Sequence, residues 1–152
     1  NGALFAPQGG LRISARGLSR VGRMLLNGGT LEGVQILTPA SVDALFTQVW
    51  RFSGSNGVTE KGFYCSYGHA TQQIPTAVRG CADDMGTNGR TLVGHAGDAY
   101  GMKSGIWIDR ARGVGIAYFV TGVPEHALTG PGTAFTAAET RAFRRTYALL
   151  PR

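Results

Sequence analysis

Residues 94–105 read GHAGDAYGMKSG, a polar triplet His95-Ala96-Gly97 followed by small, turn-prone residues. Small side chains let another group come close to the backbone, as a substrate carbonyl would. The stretch runs directly into Lys103-Ser104-Gly105-Ile106-Trp107-Ile108-Asp109, whose alternation of apolar and other residues predicts a strand. The reading is a strand edge bordering a site, with a second strand beside it. The stretch holds no complete catalytic apparatus.

The elements that position this stretch follow from the rest of the chain. Ser14 can cap a helix in which Leu18, Val21 and Leu25 share one apolar face, and Asn27-Gly28-Gly29 ends it. Residues 31–37 form a small hairpin. Thr38 caps a second helix with Pro39 in its first position, and Val42, Leu45, Phe46 and Val49 make its buried face. Residues 51–62 and 75–90 read as loops, with a strand over 63–74 between them. Residues 91–94 lead as a strand into the triplet. A hairpin connection at Asp109-Arg110-Ala111-Arg112-Gly113 joins strand 103–109 to a strand over Val114–Thr121. After a loop over 124–132, Thr136-Ala137-Ala138-Glu139 is a capping box. Phe143, Tyr147 and Leu150 then make one stripe of a terminal helix. Pro7-Gln8-Gly9-Gly10 reads as a turn. The predicted class is α+β: an antiparallel meander sheet flanked by helices, one segment over residues 1–152.

Composition narrows the function classes. The formal charge is +6, carried almost wholly by arginine, but the arginines are dispersed and no nucleic-acid motif is present. Nucleic acid is therefore not an expected partner. No apolar run has the length of a membrane span, and no signal peptide is visible. The chain starts at Asn1 rather than Met, which suggests processing, truncation or a split chain, so export stays open. Cys65 and Cys81 flank a polar segment; they are either a disulfide of an oxidising compartment or two unrelated buried thiols. A periplasmic or secreted protein is expected, although nothing in the sequence excludes the cytoplasm. His69 and His126 have no metal-ligand spacing, so neither metal nor cofactor is expected. Lys103 reads as a solvated strand-edge charge, and Trp50 and Trp107 as core or strand-face residues. Tyr100 either lines the pocket or packs on the sheet.

An ordered set of segments resembles the serine β-lactamase-related family of class C β-lactamases, DD-peptidases and esterases. The segments are GGLRISARGL at 9–18, GRMLLNGG at 22–29, LTPASV at 37–42 and GHAGDAYGMKSGIWID at 94–109, followed by a strand and a terminal helix. The resemblance covers nearly the whole chain and implies the C-terminal portion of the β-lactamase/transpeptidase-like fold. In that family a Lys-Thr-Gly-like triplet, often His-x-Gly in the esterase and peptidase branches, edges the active site. By resemblance His95-Ala96-Gly97 takes that place. The backbone N–H of Asp98 would then be an oxyanion-hole donor, a kind of group whose loss costs about 3 kcal/mol of barrier. His95 would donate to a substrate carboxylate or ester oxygen, or to the catalytic hydroxyls. Gly97 would let substrate approach.

The family's nucleophile is the Ser of Ser-x-x-Lys, assisted by a Tyr or Ser of a second motif. No serine here is followed three residues on by Lys, and Tyr-x-Asn and Ser-x-Asn are absent. The family carries both motifs N-terminal to the matched region. The resemblance thus implies a C-terminal chain or fragment of a serine acyl hydrolase acting on a small ester or amide. Its partner would be the N-terminal half of the same enzyme, and an acidic half would complement this basic one. The rival reading is a non-catalytic ligand-binding or interaction module.

Overall fold

A computed structural model describes residues 11–151. The turn expected at Pro7-Gln8-Gly9-Gly10 lies outside them. Three helices, α1 (Ala15–Leu26), α2 (Pro39–Phe46) and α3 (Ala137–Tyr147), accompany eight strands. The strands are β1 (Thr30–Leu31), β2 (Val34–Gln35), β3 (Gln48–Arg51), β4 (Ser66–Gly68), β5 (Gln72–Ile74), β6 (Leu92–Ala99), β7 (Met102–Asp109) and β8 (Val114–Thr121). β1 and β2 form a small hairpin of their own. The other six make one antiparallel sheet in the order β3-β4-β5-β6-β7-β8. The class is α+β with a meander sheet, as the sequence predicts.

Local chemistry sets the helix starts. The Ser14 hydroxyl accepts from the N–H of Gly17 at 3.1 Å, and the Thr38 hydroxyl accepts from the N–H of Ser41 at 3.1 Å, with Pro39 following. Thr136 and Glu139 close a reciprocal capping box on α3. Two expectations are corrected. Val49 is not on the buried face of α2. The helix ends at Phe46, Thr47 turns extended, and Val49 is an exposed residue of β3. Residues 63–74 are not one strand. Ala70, with φ of 65°, turns the chain between β4 and β5, so that Tyr67 pairs with Gln72.

The sheet is covered differently on its two sides. Toward α3, Ile74, Met85, Leu92, Trp107, Ile116, Tyr118, Phe135, Phe143 and Tyr147 form one buried cluster. Toward α1 and α2, Val42, Phe46, Val93 and Ile108 form a second, flanked by Leu25, Leu26 and Leu37. On α1 the fully buried residues are Gly22 and Met24, while Leu18, Val21 and Leu25 are half-buried. A Cβ on Gly22 would stand 3.4 Å from Ile106, which is why the helix can lie so close to β7.

Cys65 and Cys81 are joined as a disulfide, which decides between the two sequence readings in favour of the bond. It closes a loop with a sequence separation of 16, and fixes the segment after β5 to the start of β4. Closing a loop of that length removes unfolded-state entropy worth about 3 kcal/mol. The Cys65→Ser/Cys81→Ser double variant is expected to lose about that much in a urea unfolding titration. Wild-type protein under reducing conditions should lose the same amount.

Candidate functional site

β6 carries the triplet through an asymmetry in its pairing. Leu92, Val93 and Gly94 pair with β5, and Val93 and Gly94 also have β7 on the other side. From His95 to Ala99 the strand pairs with β7 alone, so its other edge has no strand partner among the described residues. Alternate backbone N–H groups along that edge have no strand acceptor, which is the condition an oxyanion donor needs, while the Ala96 carbonyl is engaged by the His95 ring.

His95 is exposed on this edge. Its Nδ1 lies 2.5 Å from the carbonyl oxygen of Ala96, and its Nε2 lies 2.5 Å from the Tyr67 hydroxyl. A carbonyl can only accept, so in the neutral ring Nδ1 carries the proton and the Tyr67 O–H donates to Nε2. Both ring nitrogens are therefore engaged within the protein. Donation from the neutral His95 ring to a substrate would require the Nδ1–H bond to the Ala96 carbonyl to give way, whereas release of Tyr67 would free only an acceptor. Tyr64, Tyr67 and His95 stand in a row of edge-on rings, each neighbouring pair 5.9 Å apart. Burial, and then the proximity of Tyr64, push the Tyr67 phenol above its ordinary pKa, so Tyr67 is a neutral donor near pH 7 rather than a base.

Beside this edge lies a cavity of about 280 Å³, lined among others by Ala96, Gly97, Asp98 and Lys103 from the β6–β7 hairpin. Its other walls come from far along the chain: Glu60, Phe63 and Tyr64 on one side, Thr136 and Glu139 on the other. The first wall is held by Gln72, a fully buried residue whose amide donates to the Phe63 carbonyl at 2.6 Å. The two walls meet through Ala82, whose N–H donates to the Gly62 carbonyl at 2.9 Å and whose carbonyl accepts from the Ala134 N–H at 2.6 Å.

Lys103 corrects its expectation. Its side chain is only 13% exposed and its ammonium pairs with the Asp98 carboxylate directly across the β6–β7 ladder. Glu139, in the first turn of α3, lines the same cavity and feels the Lys103 charge. Glu139 is 3% exposed. Its Oε2 accepts from the Thr136 N–H at 3.1 Å and from the Thr136 hydroxyl at 2.8 Å. Burial raises its pKa; the Thr136 hydrogen bonds and the Lys103 charge work against that rise.

Tyr100 is corrected as well. It neither lines this cavity nor packs on the sheet. With Gly101 it forms the two-residue β6–β7 turn, at φ of 55° and 72°, and that backbone holds its ring fully in solvent. The structure thus brings Ala96, Gly97 and Asp98 to the cavity, leaves His95 on the adjoining edge and places Tyr100 at a neighbouring hollow that it lines with Asp98 and Lys103. Sequence reasoning missed Tyr67, the tyrosine on His95. It also missed Phe63, Tyr64 and Glu60, and it read Glu139 only as a cap. No local signal marks Phe63 and Tyr64 as a wall, since residues 63–74 read only as a strand.

Comparison with protein-family models, curated proteins and solved structures finds no match for this chain. Among the described residues no group of three or more His, Cys, Asp and Glu side chains is placed to hold a metal ion. No helix among them is long and apolar enough to cross a membrane.

Proposed function

We propose that this chain supplies the substrate-facing edge of a serine acyl hydrolase of the β-lactamase-related type, acting on a small ester or amide. The observation that carries the reading is the unpaired edge of β6 over residues 95–99, running beside a cavity of about 280 Å³. In this reading the substrate's acyl group lies along the edge, and the Asp98 N–H donates to its carbonyl oxygen as negative charge develops. The serine nucleophile and its Lys and Tyr assistants lie outside these 152 residues, on the same polypeptide or on a second one. The serine oxygen attacks the carbonyl carbon, the alcohol or amine leaves with a proton, and water then cleaves the acyl-serine ester. Tyr67 positions His95, and the disulfide fits an oxidising compartment, periplasmic or extracellular.

The test uses the protein as recovered from its source with an antibody to this chain. It is treated with a fluorophosphonate, assayed with p-nitrophenyl acetate, and weighed under denaturing conditions. The expected result is a labelled serine in a Ser-x-x-Lys sequence outside residues 1–152, with hydrolysis that falls when His95 is changed to alanine. A lone, unlabelled chain of 16.0 kDa without hydrolysis would sink the proposal and leave a binding module in its place.

A further inference from the structure

We propose that a hollow beside the middle of α3 takes a small phosphate monoester, with Arg141, Arg145 and the Thr140 hydroxyl as its donors. The hollow holds about 290 Å³ and shares no lining residue with the cavity beside β6, so the inference does not rest on the acyl-hydrolase reading.

Charge is the first observation. Arg141, Arg144 and Arg145 all line the hollow, and no acidic residue does. They stand three and four residues apart on α3, and among the described residues none of them is in a salt bridge. Like charges at those spacings repel on a helix surface. The helix dipole offsets this for Arg144 and Arg145 in the last turn, but Arg141 stands a turn earlier, where the dipole gives little. An anion held among them removes the repulsion. Arg144 is already fixed as one wall, since its Nε donates to the Met85 carbonyl at 2.8 Å.

The second observation is independent of charge. Thr140 is 3% exposed and lines the same hollow, and its buried Oγ1 has no hydrogen-bond partner among the described residues. A buried hydroxyl in that state is unusual. Threonine in a helix commonly donates to the carbonyl four residues back, as the Thr146 hydroxyl does to Ala142 at 2.9 Å. Thr140 does not. Its hydroxyl faces the Gly130 side of the hollow, where an added Cβ would stand 2.9 Å from Oγ1. Glycine there leaves a ligand oxygen an approach that any side chain would block.

The two observations together select the ligand. A lone hydroxyl would accept a water as partner, but three guanidinium groups call for more than one negative charge. A phosphate monoester carries close to two charges and three terminal oxygens, so separate oxygens can accept from Arg141, Arg145 and Thr140 at once. A carboxylate brings one charge and two oxygens. The volume stands at the lower end of small-molecule sites and leaves space for a short organic substituent.

The experiment titrates the full-length protein at pH 8 and fixed ionic strength with sodium glycerol 3-phosphate, glycerol and sodium lactate, read by calorimetry. Glycerol 3-phosphate is expected to bind with a Kd of about 1 mM or below, lactate about tenfold or more weakly, and glycerol not at all. Arg141→Gln and Arg145→Gln change exposed residues, so folding should survive while affinity falls about tenfold in each. Arg16→Gln removes the same charge from α1, on the other side of the sheet, and should leave affinity within about twofold. Thr140→Val keeps the shape and removes only the hydroxyl. Its urea midpoint should hold or rise, because no internal bond is lost, while affinity falls about fivefold. Equal binding of lactate would overturn the proposal, as would an Arg16→Gln loss matching that of Arg141→Gln. So would unchanged affinity in Thr140→Val, or no binding of glycerol 3-phosphate up to about 50 mM. Flotation with vesicles containing phosphatidic acid, without binding of glycerol 3-phosphate, would replace the small ligand with a membrane surface.

Discussion

Gly94→Ala is expected to cost about 3 kcal/mol or more, the upper end of what overpacking does, and to leave the β6–β7 hairpin unable to pair in register. A Cβ built on Gly94 overlaps the Ile106 carbonyl oxygen. It also lies 2.8 Å from that carbonyl's carbon and 3.0 Å from the Trp107 Cα. All three are backbone atoms of the paired strand, so no rotamer change relieves the clash. Gly94 pairs with Trp107, itself 1% exposed in the larger core cluster, so a shift of the ladder there also disturbs the packing beneath α3. Gly132→Ala is the control. It sits at φ of 70° with nothing within 4 Å of an added Cβ, so only backbone strain of about 1–2 kcal/mol is expected. Urea midpoints of the two variants decide the matter. Equal losses would mean that β7 retreats freely and that the close approach is not a constraint.

Gly94 is also where the sequence misleads. The small residues of the triplet region suggest room for a substrate. At Gly94 the group that comes close is the neighbouring strand, and at Gly97 it is the Ser104 side chain. Glycine in a strand signals that something approaches, not what approaches. The helix starts were legible because each is a contact across three residues: Ser14 to Gly17, Thr38 to Ser41, Thr136 to Glu139. The β4–β5 turn was not, because Ala70 is no turn residue by type and takes positive φ only where the pairing of Tyr67 with Gln72 requires it.

The site divides in the same way. The stretch holding Ala96, Gly97 and Asp98 was legible as an edge because strand alternation is local. The cavity was not, because its walls meet across the fold: Tyr64 faces a hairpin some thirty residues on, and Glu139 lies farther still. Lys103 reads as a solvated strand-edge charge because nothing local in the sequence places Glu139 in the same cavity. Burial then turns it into the partner of Asp98 and a neighbour of Glu139.

The second large effect is expected at Asp109, where β7 ends. Its carboxylate is 2% exposed and ties the β7–β8 turn to the end of α3. Oδ1 accepts from the Arg112 N–H at 3.1 Å, and Oδ2 accepts from the Tyr147 hydroxyl at 3.3 Å. Arg90 and Arg112 each place a guanidinium nitrogen 3.9 Å away. Arg112 in turn lies over the Tyr147 ring at 5.6 Å and is itself little exposed, so removing the carboxylate strands a cation where water reaches poorly. Breaking one side of a buried pair costs about 3–5 kcal/mol; because Arg90 is half-exposed, the low end, about 3 kcal/mol, is expected for Asp109→Ala. Asp109→Asn keeps an acceptor for the Arg112 N–H and should cost roughly half as much. A double-mutant cycle with Tyr147→Phe separates the link to α3 from the turn itself, with a coupling of about 1 kcal/mol expected. If Asp109→Ala and Asp109→Asn lose the same stability and the coupling is zero, the carboxylate serves only the turn, and α3 is held by Phe143 and Tyr147 packing and by the Arg144 bond to the Met85 carbonyl.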